Sequence, residues 1–137
     1  MINSYDNIKS IVGIGELGAI VLLHLFLKYP DANKKQMISL VGLDPTRFDS
    51  GSSIHKKSKI SKAGAKIYRG VLFMGTMTAT RCNPEMKIFY DRLKENGKHT
   101  TQAQIAVMRK MIIIAHSLYK NNEKYSSEMY KKACGVL

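Results

Sequence analysis

The sequence predicts an all-α protein, and the spacing of its apolar residues carries that prediction. Apolar residues recur at intervals of three and four along most of the chain, most clearly over residues 16–28 and 102–120. The strict alternation that marks a half-buried strand is absent from the sequence. With 137 residues, 45% of them apolar, the chain is long enough to bury one core, so residues 1–137 are expected to form a single domain.

A helix-hairpin-helix is predicted over residues 8–28. Apolar residues surround Gly13 and Gly15, whose flexibility allows a tight turn, and amide groups at the start of the next helix would point outward toward a phosphate. A plain packing corner is the alternative, because the carboxylate of Glu16 would repel a phosphate. The helix over residues 16–28 is apolar on nearly every side and is expected to be the central core helix. His24 within it is interpreted as a core or boundary histidine, not a metal ligand.

Asn33 is expected to cap a short helix over residues 34–41, which leads into a loop over residues 42–60. Turn chemistry fills that loop, since Pro45 fixes its own φ and Gly51 permits a positive φ. A small hydroxyl, Ser50, lies at the bend. On the residues alone Ser50 is either a turn residue or a nucleophile with cations beside it. The basic residues that follow are His55, Lys56, Lys57, Lys59 and Lys62.

The chain over residues 61–120 is predicted to be helical. Ser61 is a natural N-cap for a helix ending near Arg81. The expected core stripe of this helix consists of Ala63, Ile67, Val71, Met74 and Thr78. A basic row recurs at intervals of three, four and three, and comprises Lys59, Lys62, Lys66 and Arg69. Because cations without interleaved acids repel one another, this row is interpreted as a phosphate-binding face, with an ordinary solvated face as the alternative.

Two more helices are expected. Asn83 and Pro84 begin the first, which runs to Asn96, and its buried side holds Met86, Phe89, Tyr90 and Leu93. Thr100 or Thr101 opens the last long helix, over residues 102–120. Arg109 and Lys110 are expected on the outer side of that helix as part of the basic surface. The tail over residues 121–137 is polar, with a short helix predicted over residues 126–133.

The charge of the chain favours nucleic acid as its partner. There are 22 Lys and Arg residues against 10 Asp and Glu, a net charge of +12, and the isoelectric point is about 9.8. An anionic membrane surface or an acidic protein is the alternative. Cys82 and Cys134 suggest neither a zinc site nor a disulfide framework, which fits a reducing cytoplasm. The sequence shows no secretory signal, membrane span or cluster of metal-binding acids.

Four short motifs together resemble one known family. They are G-L-D-P at residues 42–45, S-G at 50–51, I-S-K-x-G at 60–64 and N-P-x-x-x-x-F-Y-x-x-L-x-x-x-G-K at 83–98. Their order and spacing resemble the C-terminal transposase domain of the insertion sequence 110/116/902 family, over about residues 8–119. One departure is Val12, where the family usually has proline.

The resemblance implies that Ser50 is the nucleophile of DNA strand exchange and forms a covalent phosphoserine. It further implies DNA and an element-encoded guide RNA as partners, a homo-oligomer when full length, and a location at the nucleoid of a bacterial or archaeal cell. Family members carry an N-terminal resolvase-like domain whose acids bind a divalent metal. Because the acids of this chain are scattered, no cofactor is expected in it, and an excised domain or truncated reading frame is expected to be inactive alone.

Two alternatives to this function remain open at this point. The chain could be a non-catalytic helix-hairpin-helix module that binds DNA, in which Ser50 is only a turn residue. It could also be the remnant of an element that no longer moves. The catalytic and binding interpretations predict different chemistry but a similar surface charge.

Overall fold

The structure is a computed structural model that describes residues 2–43, 66–126 and 128. Over these ranges it contains six α-helices and no strand, which confirms the all-α prediction. The helices are α1 (Ile2–Lys9), α2 (Glu16–Lys28), α3 (Lys34–Val41), α4 (Lys66–Cys82), α5 (Pro84–Glu95) and α6 (Thr100–Asn121). The Ser61 cap, the loop residues 44–60 and nearly all of the predicted tail helix lie outside the described residues.

Side-chain caps explain where three of the helices begin. Asn33 accepts a hydrogen bond from the amide of Gln36 at 2.9 Å, and the Gln36 side chain accepts one from the amide of Asn33 at 2.8 Å. Asn83 caps α5 in the same way, with Pro84 at the first helical position. These two starts are as predicted. Helix α6 begins earlier than residue 102 because the His99 side chain accepts from the amide of Thr101.

The centre of the core is α6, which contacts all five other helices in the described part of the chain. Val107, Ile112, Ala115 and Leu118 are fully buried along it. The prediction that α2 is the central core helix was wrong in part. One side of α2 is buried, through residues such as Leu22, but its opposite side is open to solvent.

Helix α4 buries a different stripe from the predicted one. Tyr68, Leu72, Thr76 and Ala79 face the core, whereas Ile67 and Met74 of the predicted stripe are largely exposed. Both stripes have helical spacing and differ by a rotation of about one residue, or ~100°. Thr76 is compatible with the core because its hydroxyl donates to the carbonyl of Leu72 in the preceding turn at 2.8 Å.

Three polar contacts join the described end of the chain to α1 and α5. The Asn7 side-chain amide donates to Asn122 Oδ1 at 3.0 Å, and the Tyr125 amide donates to Ser10 Oγ at 2.9 Å. The Tyr125 hydroxyl then donates to the buried Glu85 carboxylate at 3.0 Å. These partners offset the cost of burying Asn7 and Glu85 in the interior. Among the described residues, no helix is long and apolar enough to cross a membrane.

Candidate nucleic-acid interface and the anchor of the Ser50 segment

The end of α3 fixes the backbone that leads into the Ser50 segment, by which we mean residues 44–65. Gly42 has a φ of +81°, which glycine adopts without strain. Its amide donates to the carbonyl of Ser39 at 3.0 Å, and the amide of Leu43 donates to that of Ile38 at 3.1 Å. This is the Schellman arrangement, in which an apolar side chain packs back onto the last turn. Leu43 is accordingly buried, so the first two letters of the G-L-D-P motif end the helix and close it against the core.

Two arginines from two other helices bind the carbonyls of this helix end. The Arg69 guanidinium of α4 donates to the carbonyl of Val41 at 3.0 Å. Arg109 of α6 donates to the carbonyl of Leu43 from both Nε, at 2.9 Å, and Nη2, at 2.6 Å. Cations at a helix C-terminus also interact favourably with the negative end of the helix dipole. We call these contacts the arginine anchor: Arg69 to Val41, and Arg109 to Leu43.

The arginine anchor changes the interpretation of both arginines. Arg109 was predicted on the outer side of α6, but it is half-buried and bound to a backbone carbonyl. Sequence reasoning missed this role because the partner lies 66 positions earlier in the chain and is a main-chain atom. Arg69 was predicted to bind phosphate together with Lys66. Lys66 is exposed at the start of α4, while Arg69 is half-buried at the carbonyl of Val41, and phosphate binding by either residue stays a prediction.

The anchor also brings the two borders of the Ser50 segment together. Val41 and Leu43 immediately precede it, and Arg69 lies in the first turn of α4, which follows it. The predicted nucleophile and most of the predicted basic residues lie outside the described residues. These residues are Ser50, His55, Lys56, Lys57, Lys59 and Lys62, and their roles stay predictions.

The two glycines of the predicted hairpin have different surroundings. Gly13 has a φ of +110°, and a Cβ added to it would lie 2.6 Å from the Cβ of Ala79 in α4. A Cβ on Gly75 would likewise lie 2.9 Å from the carbonyl oxygen of Gly13. Gly13 therefore lets the turn approach α4 closely, as a packing corner requires. Gly15 has open space around its Cβ position, so only Gly15 is placed to approach a ligand.

Gly15 is also the N-cap of α2 and makes no side-chain hydrogen bond to the helix. The first amides of α2 are therefore uncapped by a side chain, as a phosphate site at a helix start needs. The Glu16 carboxylate lies 3.7 Å from Lys9 Nζ, a pair that partly offsets its negative charge. The helix-hairpin-helix and its phosphate contacts stay predictions.

His24 is a boundary histidine, one of the two placements expected of it. It is exposed, and its Nδ1 lies 3.0 Å from the hydroxyl oxygen of Tyr68 across the α2/α4 contact. Within residues 2–43 and 66–126, no three His, Cys, Asp or Glu side chains are grouped so as to hold a metal ion. The described part of the chain thus offers no ligand set for a divalent metal.

Comparison with known proteins connects this arrangement to mobile DNA elements. The profile of the family described as "Transposase IS116/IS110/IS902 family" matches residues 5–91. The chain is 31% identical over 129 residues to the pilin gene-inverting protein of Moraxella bovis, an alignment covering 90% of this chain and 39% of that protein. It is 28% identical over 125 residues to an uncharacterized 43.6 kDa protein of insertion element IS110 from Streptomyces coelicolor, covering 89% and 30%. The chain therefore spans well under half the length of these relatives.

Proposed function

Because the chain belongs to the IS116/IS110/IS902 transposase family, we propose that it is the part of an insertion-sequence transposase that binds DNA and supplies Ser50 as the nucleophile of strand exchange. The family match and the net charge of +12 support DNA as the partner. The observation that carries the proposal for the site is the arginine anchor. It fixes the backbone at the border of the segment in which the family-like S-G motif occurs.

The proposed step is an in-line displacement at phosphorus. The Ser50 oxygen forms a bond to the phosphorus of a DNA phosphodiester as the bond from phosphorus to the departing nucleotide oxygen breaks. The serine proton passes to a base, and the departing oxygen takes up a proton. Since a serine hydroxyl is a weak nucleophile at neutral pH, the step needs that base together with cations that stabilise the developing negative charge. Lys56, Lys57, Lys59 and Lys62 would supply the cations from within this chain.

The base and the metal ligands are proposed to come from outside the chain. The described residues contain no group of acids fit for a metal ion, so no step is assigned to a metal held by them. The relatives are longer than this chain, and we place the metal-binding acids in a resolvase-like N-terminal domain of the full-length protein. A guide RNA and assembly into a homo-oligomer belong to the same proposal. The chain alone is then expected to bind DNA without cutting it.

The arginine anchor supports this division of labour on physical grounds. A nucleophile reacts efficiently only when it is held close to its attack geometry, and misplacement by ~1 Å costs on the order of 100-fold in rate. A loop that starts from a fixed helix end has fewer conformations to search than one whose border is free. The described helices thus position the border of the segment, and the segment itself would carry the chemistry.

The deciding experiment uses the chain extended by its N-terminal domain, with guide RNA, a divalent metal and labelled DNA. The expected result is a covalent protein-DNA adduct that Ser50→Ala abolishes, while DNA binding stays within a few-fold, because a loop hydroxyl contributes little to stability. Ser52→Ala and Ser53→Ala are the matched controls and should leave the adduct intact. An adduct that survives Ser50→Ala, or that maps to another residue, would refute the assignment.

A non-catalytic DNA-binding module is the second candidate, and the exposed start of α2 at Gly15 favours it. In that case DNA contacts would centre on the turn before α2, and Ser50 would matter only as a turn residue. Duplex binding that needs Gly15, with no adduct formed by the extended chain under any condition, would select this function. An upstream reading frame that encodes an acid-rich domain would instead favour the transposase function.

A further inference from the structure

Helix α2 presents an apolar face to solvent that none of the other described helices covers. Leu17, Ile20 and Leu27 expose 61%, 52% and 46% of their surface. Together with the exposed His24 they follow a spacing of three, four and three, which places them on one side of the helix. Isolated exposed apolar residues are common, but a row of them on one helix indicates an interaction surface. We call this row the α2 face.

Helix α4 widens the α2 face. The two helices run antiparallel, because Tyr68 of α4 meets His24 near the end of α2, while Ala79 meets Gly13 just before its start. Two further apolar side chains, Ile67 at 65% and Met74 at 67%, are exposed on α4. Their spacing of seven residues puts both on one side of α4. This apolar surface is the opposite of what a DNA-binding face needs, since DNA attracts cations.

The sequence of the α2 face reads the same in both directions. Counted from Leu22, Leu17 and Leu27 lie five residues to either side, and Ile20 and His24 lie two residues to either side. Glu16 and Lys28, the only charged residues of α2, lie six residues to either side. A second α2 laid antiparallel across a twofold axis at Leu22 would therefore meet like with like along the apolar row. It would also place each Glu16 opposite a Lys28, as a self-complementary interface requires.

We propose that the α2 face binds a second copy of this chain, through antiparallel packing of the two α2 helices about a twofold axis. The apolar row provides the buried centre, and the two pairs of Glu16 with Lys28 set the direction and register of the helices. The chain as a whole carries +12, yet the charges on α2 cancel, so this helix can meet its copy without a local excess of one sign. The inference does not depend on Ser50 or on DNA.

The first measurement is sedimentation equilibrium of the 137-residue chain without DNA, over about 1 to 200 µM at ~0.15 M salt, where exposed charges are screened beyond ~8 Å. A monomer–dimer equilibrium is expected. Ile20→Ser should weaken the dimer at least tenfold, because it removes an apolar contact from both sides of the axis. Since Ile20 is half exposed in the monomer, its replacement should leave the melting temperature nearly unchanged. Lys87→Glu on exposed α5 is the control and should leave the dimer no weaker.

Charge exchange then tests the antiparallel register. Glu16→Lys and Lys28→Glu each put two like-charge pairs into the dimer and should weaken it about five- to tenfold. An equimolar mixture of the two variants pairs every Lys with a Glu again and should form a heterodimer about as tight as the wild-type dimer. Recovery in the mixture supports the proposal. A wild-type chain that stays monomeric, a dimer insensitive to all three substitutions, or a mixture as weak as its components would overturn it.

Discussion

Arg109 should stabilise the protein through a main-chain carbonyl, and Arg109→Met isolates that contribution. Methionine keeps most of the unbranched apolar stem and removes the two donors that reach the carbonyl of Leu43, at 2.9 and 2.6 Å. Leu43 itself is 1% exposed, so its carbonyl has little access to replacement water. The substitution therefore leaves an acceptor near the core without its charged partner.

The size of the effect follows from these contacts. A hydrogen bond to a charged group contributes about 1.5–3 kcal/mol, and an acceptor left unsatisfied costs a similar amount. Both donors share one acceptor, and Arg109 is half-buried rather than enclosed, so the two bonds are not counted twice. The expected loss in the free energy of unfolding is about 2 kcal/mol. With a urea m-value of roughly 1–3 kcal/mol/M, the unfolding midpoint should fall by on the order of 1 M.

Urea denaturation of three variants would test this reasoning. Arg81→Met is the matched control, since Arg81 is an exposed arginine near the end of α4, and it should change stability by no more than about 0.5 kcal/mol. Arg69→Met removes one donor instead of two and should fall between the others. If Arg109→Met is no more destabilising than Arg81→Met, the carbonyl of Leu43 does not depend on the arginine, and the anchor contributes no stability.

Two further predictions concern the hairpin glycines and a buried histidine. Gly13→Ala should destabilise the fold by about 3 kcal/mol, because its φ is +110° and the new methyl group would overlap Ala79; Gly15→Ala, with open space around it, should leave the melting temperature unchanged and weaken duplex binding if the start of α2 holds a phosphate, and equal melting temperatures for the two variants would contradict the packing role of Gly13. His116 is buried, and burial first and Lys120 second lower its pKa below the ordinary 6.5, against a hydrogen bond with Ala32 that raises it. Because the unfolded chain then binds the proton more readily, its contribution to stability should be fully present above pH 6.5 and be lost as the pH falls from there through the folded pKa. The stability difference between wild type and His116→Gln should follow that course, Lys120→Met should narrow its pH range, and a difference independent of pH would refute the assignment.

Local chemistry made much of the fold predictable from the sequence. The bounds of α2 and α3 agree with the structure, and Asn33 and Asn83 cap the helices they were expected to cap. These signals act over three or four residues, so the sequence contains both partners side by side. The buried stripe of α4 was not predictable in this way. Two apolar stripes were available, and Gly13, more than 60 positions away, selects the one that includes the small residue Ala79.

The candidate site was predictable to a different degree. The charge of Arg109 suggested a basic surface, since nothing in the sequence indicates which carbonyl an arginine reaches. The Ser50 assignment came from motif order and spacing, and the structure adds the border of its segment rather than the serine itself. The exposure of the α2 face was hidden for another reason. An all-round apolar helix is normally buried on all sides, and only the packing of α6 at the centre shows that α2 is left with an open side.

The positions of these features separate stability, chemistry and assembly into testable parts. Moving Leu43 would require breaking its contacts with α6 and the neighbouring contact between Val41 and α4, because Arg69 and Arg109 reach the same helix end from different helices. A substitution in the arginine anchor should therefore lower stability and adduct formation together, whereas Ser50→Ala should remove the adduct alone. The α2 face uses neither arginine. Its charge exchange should shift self-association while leaving both the anchor and the serine chemistry of a monomer intact, so a variant that changes all three at once would indicate unfolding rather than a specific role.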